Sequence, residues 1–159
     1  MKLQCLGIDQ SFTSTGVVVV REGRTTPVFH DRIRTSKADG DSDERIAFII
    51  DNIMGIVDEY EPNLTCVEST AYGMVGKGMV FQLGELSGAI KAALFRSGTS
   101  FVVANIGTWK KHTTGNGNAG KPLVQAAARA LWPKCPTVTD ISDAYLIARW
   151  GLDNLTGAV

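Results

Sequence analysis

Four carboxylates in this chain stand where they could work together. Asp9 closes the apolar run Leu6-Gly7-Ile8-Asp9, and Glu68 closes another, Leu64-Thr65-Cys66-Val67-Glu68. Open α/β sheets place their sites at the C-terminal ends of such strands. Asp140 and Asp143 are three residues apart at the head of a helical segment, so they share one face of its first turn. A helix N-terminus favours nearby negative charge and offsets part of the cost of gathering acids. Hard divalent cations such as Mg²⁺ take oxygen ligands, typically a few carboxylates together with waters and phosphate oxygens. A pair of such ions about 4 Å apart can activate a water and stabilise the leaving oxygen of a phosphodiester. With two histidines far apart in sequence and no paired cysteines, this chemistry suits the chain better than zinc or acyl transfer.

Each acid also has an ordinary reading. Asp140 could cap its helix, Asp143 could complement the helix dipole, Glu68 could be a surface acid, and Asp9 could cap the turn through Ser11 or Thr13. Only their joint arrangement favours a metal site.

The elements that must position them follow from pattern. Leu3 to Asp9 reads as a buried strand, and Gly16 to Arg21 as a second, β-branched one. The short polar turn Gln10 to Thr15 joins them as a hairpin. Thr26 to Thr35 is a third, antiparallel strand with a mixed face, expected at a sheet edge. Asp41-Ser42-Asp43-Glu44 supplies N-cap chemistry for a helix with Ile46, Ile49, Ile50, Ile53, Ile56 and Val57 on one face, stopped by Pro62. After the strand ending at Glu68, a glycine-rich loop from Ala71 to Gly78 leads to a helix over Met79–Arg96, closed by Ser97-Gly98. Its small residues Gly84, Ser87 and Gly88 would let another helix or DNA approach, although packing on its own sheet is the commoner use. Phe101–Ala104 is a fifth strand. Trp109 to Gly120 is polar and glycine-rich, and helices follow over Pro122–Leu131 and Asp140–Leu152. The order β-β-β-α-β-α-β-α-α predicts an α/β fold with a mixed five-stranded sheet flanked by helices, and residues 1–159 as one domain.

Composition sets bounds on function. The apolar fraction is 44% and the charged fraction 20%, as in ordinary globular chains. No apolar run approaches the roughly 20 residues that span a bilayer, and the N-terminus reads directly into a strand without a secretory h-region. Cys5, Cys66 and Cys135 are scattered, which predicts reduced core thiols in a cytosol-like compartment. Net charge is zero, yet no acid lies between Glu85 and Asp140, where Lys91, Arg96, Lys110, Lys111, Lys121, Arg129 and Lys134 all fall. Such segregation can build a basic face for phosphate on a neutral protein, or be simple solvated surface.

Taken in order, these motifs resemble the RuvC family of Holliday junction resolvases. Leu6-Gly7-Ile8-Asp9, with Thr15-Gly16 closing the turn, is similar to the family's opening strand, with Gln10-Ser11 in place of its Pro-Gly. Cys66-Val67-Glu68 resembles the second motif, and Asp140-Ile141-Ser142-Asp143-Ala144 the closing Asp-x-x-Asp-Ala. Lys110 and Lys121 flank Gly115-Asn116-Gly117 as the family's lysines flank its Gly-x-Gly. The resemblance runs from Leu6 to about Trp150 and has a divergent, viral or phage-type character. It implies a ribonuclease H-like fold and a metal-dependent crossover junction endodeoxyribonuclease. Asp9, Glu68, Asp140 and Asp143 would be metal-binding catalytic acids, served by two Mg²⁺ ions for which Mn²⁺ can substitute. Lys110 and Lys121 would contact the DNA backbone, with Lys77 and Lys111 as further basic contacts. A homodimer would match the two-fold symmetry of a four-way junction, in the cytoplasm, or the host cytoplasm if virus-encoded.

Tyr72, in the loop after Glu68, could stack on an unpaired base or fold back onto the domain. Trp109 reads as interface or core, and His112 as phosphate-neighbouring or solvated. The loop's Ser69, Thr70, Tyr72 and Met74 suit shape recognition better than base reading, so branched substrates such as three-way junctions and flaps come within range. An actin-like or sugar-kinase-type ATPase needs a second domain of this kind. A noncatalytic binding domain conflicts with clustered acids that repel phosphate. A ribonuclease H acting on RNA–DNA hybrids stays compatible with the fold.

Overall fold

The computed structural model describes residues 1–70 and 77–157, and the backbone alone at residue 77. Strands β1 (Gln4–Asp9), β2 (Ser14–Arg21) and β3 (Phe29–Arg34) form an antiparallel meander. Helix α1 (Ser42–Tyr60) then crosses to β4 (Leu64–Glu68), and α2 (Lys77–Arg96) to β5 (Phe101–Ala104), both strands parallel to β1. Helices α3 (Ile106–Thr114), α4 (Lys121–Leu131) and α5 (Thr139–Thr156) complete the chain. The sheet order is β3-β2-β1-β4-β5, so the meander's last strand lies at an edge as its mixed face predicts.

The sheet is covered on both sides, which is why β1 and β2 read as near-continuous apolar runs rather than alternating ones. Leu6, Ile8, Val17, Val19 and Val67 point toward α1 and α2, meeting Ile49, Ile53, Leu86 and Ile90. Cys5, Val18, Val20 and Cys66 point the other way, into a core with Trp109, Val124, Tyr145, Leu146 and Ala148 from the three C-terminal helices. All three cysteines are free and buried, as expected of packing thiols. Asp41 caps α1 through Glu44 N in a reciprocal capping box, and Pro122 sits in the first turn of α4.

Two expectations change. The polar segment after β5 is helical over Ile106–Thr114 rather than irregular. Asn105 caps it by accepting from Thr108 N, Gly115 ends it in the left-handed region at φ 79°, and Trp109 is its one buried residue. A helix anchored by a single side chain has no apolar periodicity to read. The glycine-rich loop is also shorter than expected at its far end, since α2 begins at Lys77.

Glycine lets α5 lie against the sheet. A Cβ on Gly7 would strike the Ala144 carbonyl and the Ala148 amide, and one on Gly16 would strike the Asp140 carbonyl. The last helix therefore crosses β1 and β2 at van der Waals distance, with its first turn over Gly16. Among the described residues no helix is long and apolar enough to cross a membrane.

Candidate active site

The parallel register of β1 and β4 pairs Ile8 with Val67, so the next residues, Asp9 and Glu68, leave the same sheet edge side by side. Asp9 in turn faces Gly16 across the hairpin, and Gly16 is where the first turn of α5 touches down. That brings Asp140 and Asp143 to the same place from the other direction. Helix α5 begins one residue earlier than expected and its N-cap is Val138, without a side-chain cap bond, so Asp140 does not cap the helix. Its Oδ2 instead accepts from Ser14 Oγ at 2.6 Å and lies 3.9 Å from Arg32 Nη1. Asp9 does not cap its turn either: that turn is closed by Ser11 and Thr15, with Ser11 N donating to Thr15 Oγ1 at 3.2 Å.

Electrostatics show how close the acids are. Burial, then the charges of Glu68 and Asp143 and a hydrogen bond shared with Glu68, hold the Asp9 carboxyl well above the usual carboxylate range. Burial also raises Glu68, while hydrogen bonds from Asp9 and Trp109 and the charge of Lys110 favour its ionised form. Asp143 is pushed up to about 7 by burial and by Glu68, against the pull of Lys110 and Lys121. Asp9, Glu68 and Asp143 are thus all raised in proton affinity, Asp9 and Asp143 by burial and by the charges of the other acids, Glu68 by burial. Among the described residues no three of the chain's acid, imidazole or thiol groups are arranged to hold a metal ion as they stand. An all-oxygen donor set with unbalanced negative charge fits a hard divalent cation, whose charge would offset the repulsion among the acids.

Residues 5–149 match the family described as crossover junction endodeoxyribonuclease RuvC. The chain belongs to the RuvC family. The RuvC of Pseudarthrobacter chlorophenolicus is 30% identical over 155 residues, covering 93% of this chain and 79% of that one. The solved RuvC of Thermus thermophilus superposes with a TM-score of 0.82 at 21% identity, covering 98% of this chain and 97% of that one. A second Thermus RuvC structure, in complex with a Holliday junction substrate, gives the same TM-score at 20% identity over 98% and 96% of the two chains. The mixed sheet expected from the element order and the ribonuclease H-like fold expected from the RuvC resemblance are therefore the observed ones.

The remaining expected residues separate. Lys110 and Lys121 act on the acids from α3 and from the start of α4. Lys111 is exposed and lines a shallow cavity of about 430 Å³ with Asn105, His112 and Trp150. His112 Nε2 lies 2.8 Å from Asp153 Oδ2, a link from α3 to α5 rather than a solvated side chain. Tyr72 lies outside the described residues, and so does the side chain of Lys77.

Several contributors were invisible in the sequence. Gln10, standing where the RuvC pattern has Pro, donates from Nε2 to the Glu68 carbonyl at 2.7 Å and ties the two acid-bearing strand ends together. Its Oε1 is buried without a partner. Ser14 and Arg32 reach Asp140 because β2 pairs Gly16 with Arg32, a register no local pattern fixes. Trp109 is core, yet its indole N–H donates to Glu68 Oε1 at 3.1 Å. A lone tryptophan beside two lysines in a polar segment was the only signal for it.

Proposed function

We propose that this chain resolves four-way DNA junctions by metal-dependent phosphodiester hydrolysis, with Asp9, Glu68, Asp140 and Asp143 holding the metal. The convergence of these acids from two strand ends and one helix start, with Lys110 and Lys121 at their margin, carries the reading. Mg²⁺ is the cation inferred, with Mn²⁺ able to substitute, and two ions per site suit four carboxylates. Bound there, such ions supply an activated water and charge stabilisation at the leaving oxygen. Asp9, Glu68, Asp140 and Asp143 would hold such ions in their ionised forms, so binding competes with the raised proton affinity of Asp9, Glu68 and Asp143. Ser14 and Arg32 orient Asp140, while Lys110 and Lys121 receive the phosphates flanking the cut. Lys111, Tyr72 and Lys77 are assigned to outer contacts with the DNA, in a single nuclease domain working in the cytoplasm. Branch shape is read first, and the bases at the crossover only weakly.

The second copy needed for two opposed cuts is assigned to α2. Leu86, Ile90 and Leu94 face the core, whereas Phe81 and Phe95 are 69% and 78% exposed. Gly84 and Gly88 fall on that outer side, where an added Cβ would meet nothing, while Ser87 is buried. An apolar face broken by glycines suits close approach of an identical helix.

Cleavage of four-way junctions, other branched DNA, linear duplex and RNA–DNA hybrid in Mg²⁺ tests the function. Four-way junctions should be cut fastest, and Glu68→Gln should lower the rate about 10³-fold or more while leaving junction binding intact. Equal cutting of linear duplex or hybrid, or near wild-type cutting by the Glu68→Gln protein, would overturn the reading.

A further inference from the structure

Glu68 is the last residue of β4, and its main chain is anchored on both sides. Gln10 Nε2 donates to its carbonyl at 2.7 Å, and the next amide, Ser69 N, donates to the Ala104 carbonyl at 2.9 Å. What stays free is a side chain with three rotatable bonds. Trp109 removes that freedom. It is fully buried, the one buried residue of α3, and an indole N–H can only donate. A buried indole commonly finds a carbonyl or hydroxyl; this one is bonded to the Glu68 carboxylate, Oε1 at 3.1 Å. The face of the same ring carries a second member of the site, since Lys110 Nζ lies 5.6 Å from the ring centroid, within the range of cation–π attraction. Edge and face together fix an acid and a base relative to each other.

We propose that Trp109 is a positioning residue, whose indole N–H orients the Glu68 carboxylate for cation binding while its ring seats Lys110 beside it. The proposal rests on the reading of Glu68 as a metal-holding acid. Trp109 touches neither metal nor DNA; it acts through Glu68 and Lys110. The rest of α3 is partly or wholly exposed, so the helix is docked by the very residue that grips the acid.

Trp109→Phe keeps an aromatic ring in place and deletes the donor. Mn²⁺ binding to the full chain, followed by electron paramagnetic resonance of the free ion, should weaken about 10- to 100-fold, the usual effect of losing a partner of a metal-holding group. Single-turnover cleavage should fall in parallel, and junction binding in EDTA should not change. In a Glu68→Gln background, adding Trp109→Phe should cost no further Mn²⁺ affinity. Wild-type Mn²⁺ affinity in the Glu68→Gln protein would sink the metal-site reading itself. If Glu68→Gln loses affinity but Trp109→Phe does not, or if the Trp109→Phe loss persists in the Glu68→Gln background, the role of Trp109 is refuted while the metal site stands. Should Trp109→Phe fail to fold, the indole N–H resonance of Trp109 in ¹⁵N-labelled protein decides. It should move when Glu68 becomes Gln, and an unmoved signal overturns the proposal.

Discussion

Asp143 shows at residue scale what the site asks of its surroundings. Its carboxyl is pushed up to about 7, so the folded chain holds a proton near neutrality that the unfolded chain, with an ordinary Asp at about 3.9, has released. Folding then takes up protons between those values, and metal-free stability falls as pH rises from about 4 to about 7, by at most about 1.4 kcal/mol per pH unit for one proton. Thermal denaturation in EDTA should show a smaller fall for Asp143→Asn than for the wild type over that window. Mg²⁺ should raise the wild-type midpoint most at the alkaline end, where the acids are ionised and cation binding no longer competes with protons. The lysines invite a different measurement. Lys121 favours the ionised form of Asp143 and belongs, in the proposed mechanism, to phosphate binding. Lys121→Ala should weaken junction affinity across sequences and flatten log K against log[salt] by about one unit. An unchanged slope would leave Lys121 acting on the acids alone.

The elements are held in place by small residues as much as by large ones. Helix α5 delivers two of the four acids, and it does so by lying against Gly7 and Gly16 with no room for a methyl group at either. Gly16→Ala should push the start of α5 off the sheet, costing about 1–3 kcal/mol as overpacking does. Cleavage should drop by more than the folded fraction does, because Asp140 and Asp143 move with that turn. A variant destabilised by this amount but fully active per folded molecule would show that the acids are positioned independently of the helix contact. Helix α3 is the contrary case. Its sequence, Ile106-Gly107-Thr108-Trp109-Lys110-Lys111-His112-Thr113-Thr114, is poor in strong helix formers. It forms because Asn105 caps it and Trp109 buries beneath it.

At the scale of the whole molecule, zero net charge conceals a division of labour. The acids of α1 lie on an outer helix, and the acid-free stretch from β5 to α4 brings its lysines to the site. Local field rather than net charge governs encounter with DNA, so binding should remain strongly salt-dependent despite a pI of about 6.7. The exposed face of α2 supplies the remaining large-scale prediction. Sedimentation of the 17.1 kDa chain should show a dimer, and Phe81→Glu together with Gly88→Arg should give monomers that keep the fold. Dimers persisting in that double variant would move the interface elsewhere.

Much of the site was legible because it is written in local pattern. An apolar run ending in an acid fixes both a strand and the edge from which its carboxylate emerges, which is how Asp9 and Glu68 could be paired before any coordinates. Two acids three apart at a helix start fix their common face, α1 follows from a 3.6-residue period, and the bounds of α2 and α4 follow from Ser97-Gly98 and Pro122. What the sequence could not contain is anything that depends on register between distant segments. Arg32 and Ser14 meet Asp140 only through strand pairing and helix docking, Gln10 meets Glu68 only because β1 and β4 are neighbours, and Trp109 meets Glu68 only once α3 has folded over the end of β4. These contacts join residues 41 to 126 positions apart, and no periodicity spans such distances. Chain pattern determined which acids could act; packing of helices on the sheet decided which neighbours hold them.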